Sequence, residues 1–231
     1  MIIEADTQSV AEHFARRLLD AQVKREPYEH VYIENVFPLW YYDLLLAELP
    51  EDQSYTDRTF DNRAMTRQAS LAKLGPFWHD LTRWMLSREC LVPIMDLFST
   101  LDHNRGGLGF DLRLVRDSRG YCIKPHTDIK AKAMSLLFYL PSDNERSEIG
   151  TRVYVPKEKG FTSDGTRRYE FAEFDSIYTA PFLPNSMFGF PRSDVSFHGV
   201  PPIEVTRRDV LLLNAYYTRA PQRQEDEYAS S

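Results

Sequence analysis

Apolar positions recur at helical spacing through the first hundred residues and at alternating spacing after that. In "SVAEHFARRLLDAQV" (9–23), Val10, Phe14 and Leu18 share one face with Ala11, Ala15 and Leu19, and Ser9-x-x-Glu12 reads as a capping box. "FPLWYYDLLLAELP" (37–50) and "PFWHDLTRWMLS" (76–87) carry similar stripes, the first ended by Pro50. "CLVPIMDLFSTL" (90–101) predicts a further helix with Pro93 in its first turn. Trp40, Tyr41, Phe77, Trp78 and Trp84 lie on these stripes and read as helix-to-sheet core. The stretch from Pro50 to Leu71 is polar and irregular.

From "RGGLGF" onward the texture changes. Short β-branched or alternating runs, separated by Gly, Pro, Asp and Asn, predict strands at 109–115, 121–126, 133–140, 151–155, 168–174, 186–191, 195–200 and 208–217. About eight short strands with no helical pattern between them suggest an antiparallel sandwich or jelly roll. "PKEKGFTSDGTRR" (156–168) reads as a loop and "APQRQEDEYASS" (220–231) as a solvated tail. The expected class is mainly β with N-terminal α. It is one domain over residues 1–217, with a helical layer (1–105), a β core (106–217) and a tail (218–231).

Composition narrows the function classes. A formal charge of −6 argues against broad phosphate-driven binding of nucleic acid, which needs a basic face. The two cysteines, Cys90 and Cys122, are far apart and in no C-x-x-C spacing, which excludes a disulfide scaffold and a thiolate zinc site and suits a reducing cytosol. "MIIEADTQSVAEHF" is acidic where a signal peptide is basic. No apolar run approaches the roughly 20 residues needed to span a bilayer. The expectation is a cytoplasmic protein that meets no membrane, with no sequence signal for an oligomeric state.

"GYCIKPHTDIKAKAMSLLFYLP" (120–141) carries the first candidate chemistry. Residues i and i+2 on a strand face the same side, so His126 and Asp128 are able to aim at one point. Of the other histidines, His13 and His79 fall on predicted helices, His30 precedes an apolar stretch and His103 lies in a loop. Only His198 in "VSFHGV" falls in a predicted strand of the β region, so it is the candidate third ligand. Two histidines and a carboxylate on one face of an octahedron leave three positions open, the arrangement of non-haem Fe(II) oxygenases. Ten residues on, Arg208 opens the strand "RDVLLLNAYY". In that desolvated neighbourhood a guanidinium needs an anionic partner, and it can fork onto the distal carboxylate of a metal-bound diacid. Its neighbour Arg207 reads as a surface charge.

The set His126-x-Asp128, His198 and Arg208 resembles the 2-oxoglutarate/Fe(II)-dependent dioxygenase superfamily, in particular its prolyl-4-hydroxylase-like branch. "PYEHVYIENVFPLWYYDLLLAELP" is similar to the family's lead-in, "AMSLLFYLP" to the strand after H-x-D, and "NSMFGFPRSDVSFHGVPPI" to the distal-histidine segment. The resemblance therefore spans about residues 27–217. It implies a double-stranded β-helix (jelly roll, cupin-like) with the helical layer packed on one sheet. It also implies Fe(II) held by His126, Asp128 and His198, and 2-oxoglutarate clamped by Arg208. Dioxygen is the oxidant and ascorbate a supporting reductant. The implied reaction hydroxylates an unactivated C–H of a small molecule, amino acid or peptide side chain and decarboxylates 2-oxoglutarate to succinate and CO2.

In that family a tyrosine at Tyr139 hydrogen-bonds the 2-oxoglutarate carboxylate, although a core tyrosine reads almost as well. Tyr121 is either a lining residue or packing, and Asn185 and Asn214 either reach the pocket or serve turns. Arg152 and Tyr154 read as surface sooner than as substrate contacts. Lys124, Lys130 and Lys132 read as a solvated rim, and with Arg116 and Arg119 they would favour an anionic substrate. The family's Gly-Gly-Glu-Leu after the YLN strand is replaced by "IGTRVYVPKEKG", a departure on the substrate side. Two other readings share part of the pattern. A cupin-like metal-binding or sensing protein would have no use for Arg208. A nucleic-acid demethylase is disfavoured by the charge and by the arginine spacing in "RRDVLLLNAYYTR".

Overall fold

A computed structural model describes residues 4–55, 57–59, 62–101 and 107–218. The first half contains α1 (Glu4–Leu19), β1 (Val31–Glu34), α2 (Leu39–Ala47), β2 (Asp57–Thr59), β3 (Arg63–Arg67), α3 (Gln68–Leu71), α4 (Pro76–Met85) and α5 (Arg88–Asp96). There follow β4 (Leu108–Asp117), β5 (Ile123–His126), β6 (Lys132–Tyr139) and β7 (Arg152–Pro156). The chain closes with β8 (Phe174–Thr179), β9 (Ser186–Pro191), β10 (His198–Val200) and β11 (Arg208–Tyr217).

Two antiparallel sheets result, in the orders β1-β9-β6-β11-β4-β3-β2 and β5-β10-β7-β8. Most connections from β4 to β11 cross from one sheet to the other, which winds the chain into a double-stranded β-helix. The larger sheet is covered on both faces, and its central strands read accordingly as nearly unbroken apolar runs. In β11, Leu211, Leu213 and Ala215 pack under the helices with Leu112, Leu114, Leu136 and Phe138. Val210 and Leu212 turn to the inter-sheet side with Tyr121, Phe188 and Phe190. On the helical side, α1 buries Val10, Phe14 and Leu18, and the Phe14 ring meets Trp84 edge-on at 5.4 Å.

Several expectations change. The region read as helical adds β1, β2 and β3 to the edges of the large sheet, strands too short for their alternation to register in sequence. α1 starts at Glu4, so Ser9 is an exposed interior position and no cap, and Leu19, rotated off the stripe by one residue, is 85 % exposed. Trp40 stands at the start of α2 and is 45 % exposed, outside the core. Pro93 is interior to α5, which begins five residues earlier at Arg88. The strand expected at 168–174 is replaced by a 3-10 turn, Phe171–Glu173, closed by a capping box between Glu170 and Glu173, and pairing starts at Phe174. His103 and the tail from residue 219 lie outside the described residues. Among the described residues no helix is long and apolar enough to cross a membrane.

Candidate functional site

β5 ends and β10 begins on the two histidines, which stand directly opposite one another in the antiparallel pair. Cross-strand pairing therefore brings together residues remote in sequence, with ring centroids 4.3 Å apart. Asp128 follows two residues after His126, in the extended connection to β6 and not on the strand itself. One ligand atom from each of His126, Asp128 and His198 lies within 4.8 Å of the others.

Each imidazole is oriented from behind. His126 Nδ1 is 2.9 Å from the Lys124 carbonyl and His198 Nδ1 is 3.0 Å from that of Ser196. A carbonyl oxygen only accepts, so each Nδ1 carries the proton and each Nε2 keeps its lone pair. Burial, reinforced by His198, depresses the pKa of His126 to about 3, and burial lowers that of His198 as well. Both rings are thus neutral donors at physiological pH. Burial pushes Asp128 the other way, but the Lys132 ammonium and the two imidazoles outweigh it and hold the carboxyl below its ordinary range.

Asp128 is fixed at all three of its oxygens. Oδ1 accepts from Lys132 Nζ at 2.8 Å, Oδ2 from Ser135 Oγ at 2.8 Å, and the backbone carbonyl from Arg192 Nε at 3.0 Å. Arg192 Nη2 and Thr127 Oγ1 also donate to the Ser163 carbonyl, at 3.3 and 3.2 Å. These bonds pin the 156–173 insertion against the turn that carries Asp128. Gly165, at φ +84°, approaches so closely that a Cβ there would lie 2.0 Å from the Asp128 carbonyl oxygen.

A cavity of about 110 Å³ runs inward from the triad to Thr151 and Arg208. Arg208 is buried, its Nε donating to the Ile149 carbonyl at 2.9 Å and its Nη1 to Asp117 Oδ2 at 2.6 Å. Its Nη2 and the hydroxyl of Thr151 are buried without a hydrogen-bond partner. Native interiors leave few such groups, and these two border the same cavity.

The structure brings His126, Asp128, His198, Arg208, Tyr121 and Asn214 to the cavity wall. Tyr139 stands behind it, with its ring 5.6 Å from Arg208 Cζ and its hydroxyl accepting from the Thr151 N–H at 3.0 Å. Asn185 is elsewhere, its side chain exchanging hydrogen bonds with the Phe37 backbone at 2.9 and 2.8 Å. Lys132 belongs to the site and not to a solvated rim. Lys124 does lie on the rim, paired with Glu170. Arg116 faces away and pairs with Asp209 and Asp52. Tyr154 is buried in an aromatic cluster with Phe174 and Phe197, contrary to the surface reading.

Residues that escaped the sequence reading include Ser135, Thr151, Asp117, Arg63 and Arg192. Ser135 alternates with Leu137 on β6 and was open to detection by that spacing. Asp117 was not, because its contact with Arg208 depends on cross-strand register 91 positions apart.

No family model and no curated protein matches the sequence. Solved structures do. A prolyl 4-hydroxylase from Phytophthora capsici superposes with a TM-score of 0.60 at 17 % identity, over 95 % of this chain and 68 % of that one. A 2OG-Fe(II) oxygenase family oxidoreductase from Burkholderia pseudomallei gives 0.55 at 13 % identity, over 92 % and 93 %. HygX from Streptomyces hygroscopicus, solved with nickel and 2-oxoglutarate bound, gives 0.53 at 13 % identity, over 82 % and 83 %. The chain shares its fold with these 2-oxoglutarate/Fe(II) oxygenase structures.

Proposed function

We propose that the protein is an Fe(II)/2-oxoglutarate-dependent dioxygenase that hydroxylates an unactivated C–H bond of a small molecule, amino acid or peptide side chain. The observation that carries this reading is the pairing of two polar sets in one cavity, the inner of them without hydrogen-bond partners. At its outer end converge two neutral imidazoles and a carboxylate. At its inner end a buried guanidinium N–H and a threonine hydroxyl lack partners. A bare metal holder needs only the first set. A keto diacid bridging metal and arginine uses both.

The donor set fits a ferrous ion, which His126 and His198 would hold through two nitrogens and Asp128 through a carboxylate oxygen. When bound, iron and 2-oxoglutarate supply the oxidising power. One atom of dioxygen enters the substrate C–H bond and the other the succinate formed as CO2 leaves.

The chain's own residues do the positioning. His126 and His198, already deprotonated at Nε2, give up no proton on metal binding. Ser135 and Lys132 fix the rotation of the Asp128 carboxylate, and Arg192 fixes the backbone that carries it. Arg208 offers Nη2, and Thr151 its hydroxyl, to a carboxylate at the inner end. Between the two ends Leu137, Phe190, Val200 and Leu212 line the cavity with apolar surface and keep water from the reacting atoms.

The test is 2-oxoglutarate consumption by purified protein with Fe(II) and ascorbate, screened against metabolites, amino acids and short peptides. Iron-dependent succinate formation, stimulated by one class of compound that gains an oxygen atom, supports the proposal. Intact 2-oxoglutarate under every condition refutes it.

A further inference from the structure

The cavity between the triad and Arg208 is the place of the keto diacid in the reading above, so the compound to be hydroxylated must be met beyond the triad. The inter-sheet face of the large sheet leads there. On β11 that face carries Leu212 and Asn214, both in the cavity wall, and Asn214 Oδ1 lies 3.3 Å from the Ser135 hydroxyl that holds Asp128. On the neighbouring β4, Arg113 is the direct partner of Leu212, and Asp111 that of Asn214. Leu112 and Leu114, which alternate with them, pack under the helices, so Asp111 and Arg113 share the inter-sheet face. Adjacent strands lie about 5 Å apart, which puts both charges one strand beyond the cavity wall, level with Leu212 and Asn214.

Arg113 Nε donates to Asp111 Oδ2, and each side chain is 25 % exposed. The bond joins positions two apart on one strand, so it ties no two elements of the fold together, and a partly exposed pair of this kind adds little stability. Both Arg113 Nη groups and Asp111 Oδ1 lie outside it. A carboxylate beside a guanidinium complements an ammonium and a carboxylate carried by one small ligand, and a pair that is neutral overall favours a ligand that is neutral overall. Resting on the dioxygenase reading above, we propose that Asp111 and Arg113 bind the α-ammonium and α-carboxylate of a free amino acid whose side chain passes Asn214 to the metal. One atom of dioxygen enters a C–H bond of that side chain and the other enters succinate, as 2-oxoglutarate loses CO2. The span from β4 to the triad exceeds one strand spacing, so the side chain is several carbons long, and alanine or serine does not reach.

The probes are the common L-amino acids, then the N-acetyl and C-amide derivatives of those that bind. Dissociation constants are measured by calorimetry on protein loaded with Mn(II) and 2-oxoglutarate, in wild type, Asp111→Asn and Arg113→Gln. The affinity for 2-oxoglutarate and a thermal melt are recorded for each. An amino acid with a long side chain is expected to bind wild type, and either blocking group to weaken it by about 10-fold or more. Asp111→Asn should weaken the free amino acid by a similar factor and leave its N-acetyl derivative unchanged. Arg113→Gln should weaken the free amino acid likewise and leave its C-amide unchanged. Wild type that takes 2-oxoglutarate with metal but no amino acid, or that binds free and blocked forms alike, overturns the proposal and leaves the dioxygenase reading standing. So does a variant that loses free and blocked forms equally, or loses 2-oxoglutarate with them. Wild type that fails to bind 2-oxoglutarate in the presence of metal refutes both readings.

Discussion

The two ends of the cavity are built by opposite means. The outer end hangs its donors on short strands of the small sheet and on the connection after β5, and β10 carries a register irregularity just past His198. Its geometry depends on bonds from neighbouring segments: two backbone carbonyls behind the imidazoles, Arg192 and Ser163 behind Asp128, and the close approach of Gly165. The inner end stands on long central strands, β4 and β11 pairing without interruption from Arg208–Asp117 to Tyr217–Leu108. Two imidazoles and a carboxylate sit at the outer end, and a guanidinium paired with a carboxylate at the inner one. The comparison teaches that a reactive site places its adjustable chemistry on irregular segments and its charge recognition on the sheet.

Breaking one end should leave the other intact. The largest effect is expected from His126→Ala or Asp128→Ala, which should abolish metal binding by calorimetry and succinate formation, whereas His79→Ala, on the exposed surface of α4, should preserve both. Arg208→Ala should raise the KM for 2-oxoglutarate by about 10- to 100-fold, the loss of a buried charge-assisted pair, with metal affinity unchanged. Gly165→Ala acts on the outer end from behind, where its methyl would press on the Asp128 carbonyl. Metal affinity should fall by about 10-fold, as for other losses of ligand support, and wild-type binding of metal should return when the glycine is restored.

The smallest effect is a pH dependence confined to the outer end. His126 and His198 are held neutral in the folded protein, while the unfolded chain takes up protons near the ordinary histidine value. The unfolded state therefore binds more protons below that value, and stability of the metal-free protein should fall as pH drops from about 6.5 toward 3. The slope approaches about 1.4 kcal/mol per pH unit for each histidine. Asp128, with its folded pKa depressed, adds a loss of the same sign at more acidic pH. Denaturant midpoints at pH 7 and pH 5 measure this.

The same contrast explains what sequence could reveal. The outer end was legible because His126 and Asp128 are near neighbours and His198 falls in a strand pattern. Seven of the eight strands from β4 to β11 were legible because runs such as "VLLLNA" and "AMSLLFYL" keep their character in isolation, whereas β8 was expected at 168–174 and lies at Phe174–Thr179. The inner trio of Arg63, Asp117 and Arg208 was not, because it is defined by register between β3, β4 and β11, and β3 is five residues long in a stretch with no period. The anion expected near Arg208 is present, but the chain itself supplies it as Asp117. Pro93 and Ser9 mislead for another reason: local signals place a helix start, but tertiary packing sets where each helix begins.

The most direct test of one cavity with a metal end and a carboxylate end is the affinity for 2-oxoglutarate with and without Mn(II), in wild type and in Arg208→Ala. Metal should tighten binding by about 10-fold or more in wild type, and Arg208→Ala should weaken binding whether or not metal is present, the mark of one ligand held at both ends. Binding that is the same with and without metal, or that ignores Arg208, would contradict the account.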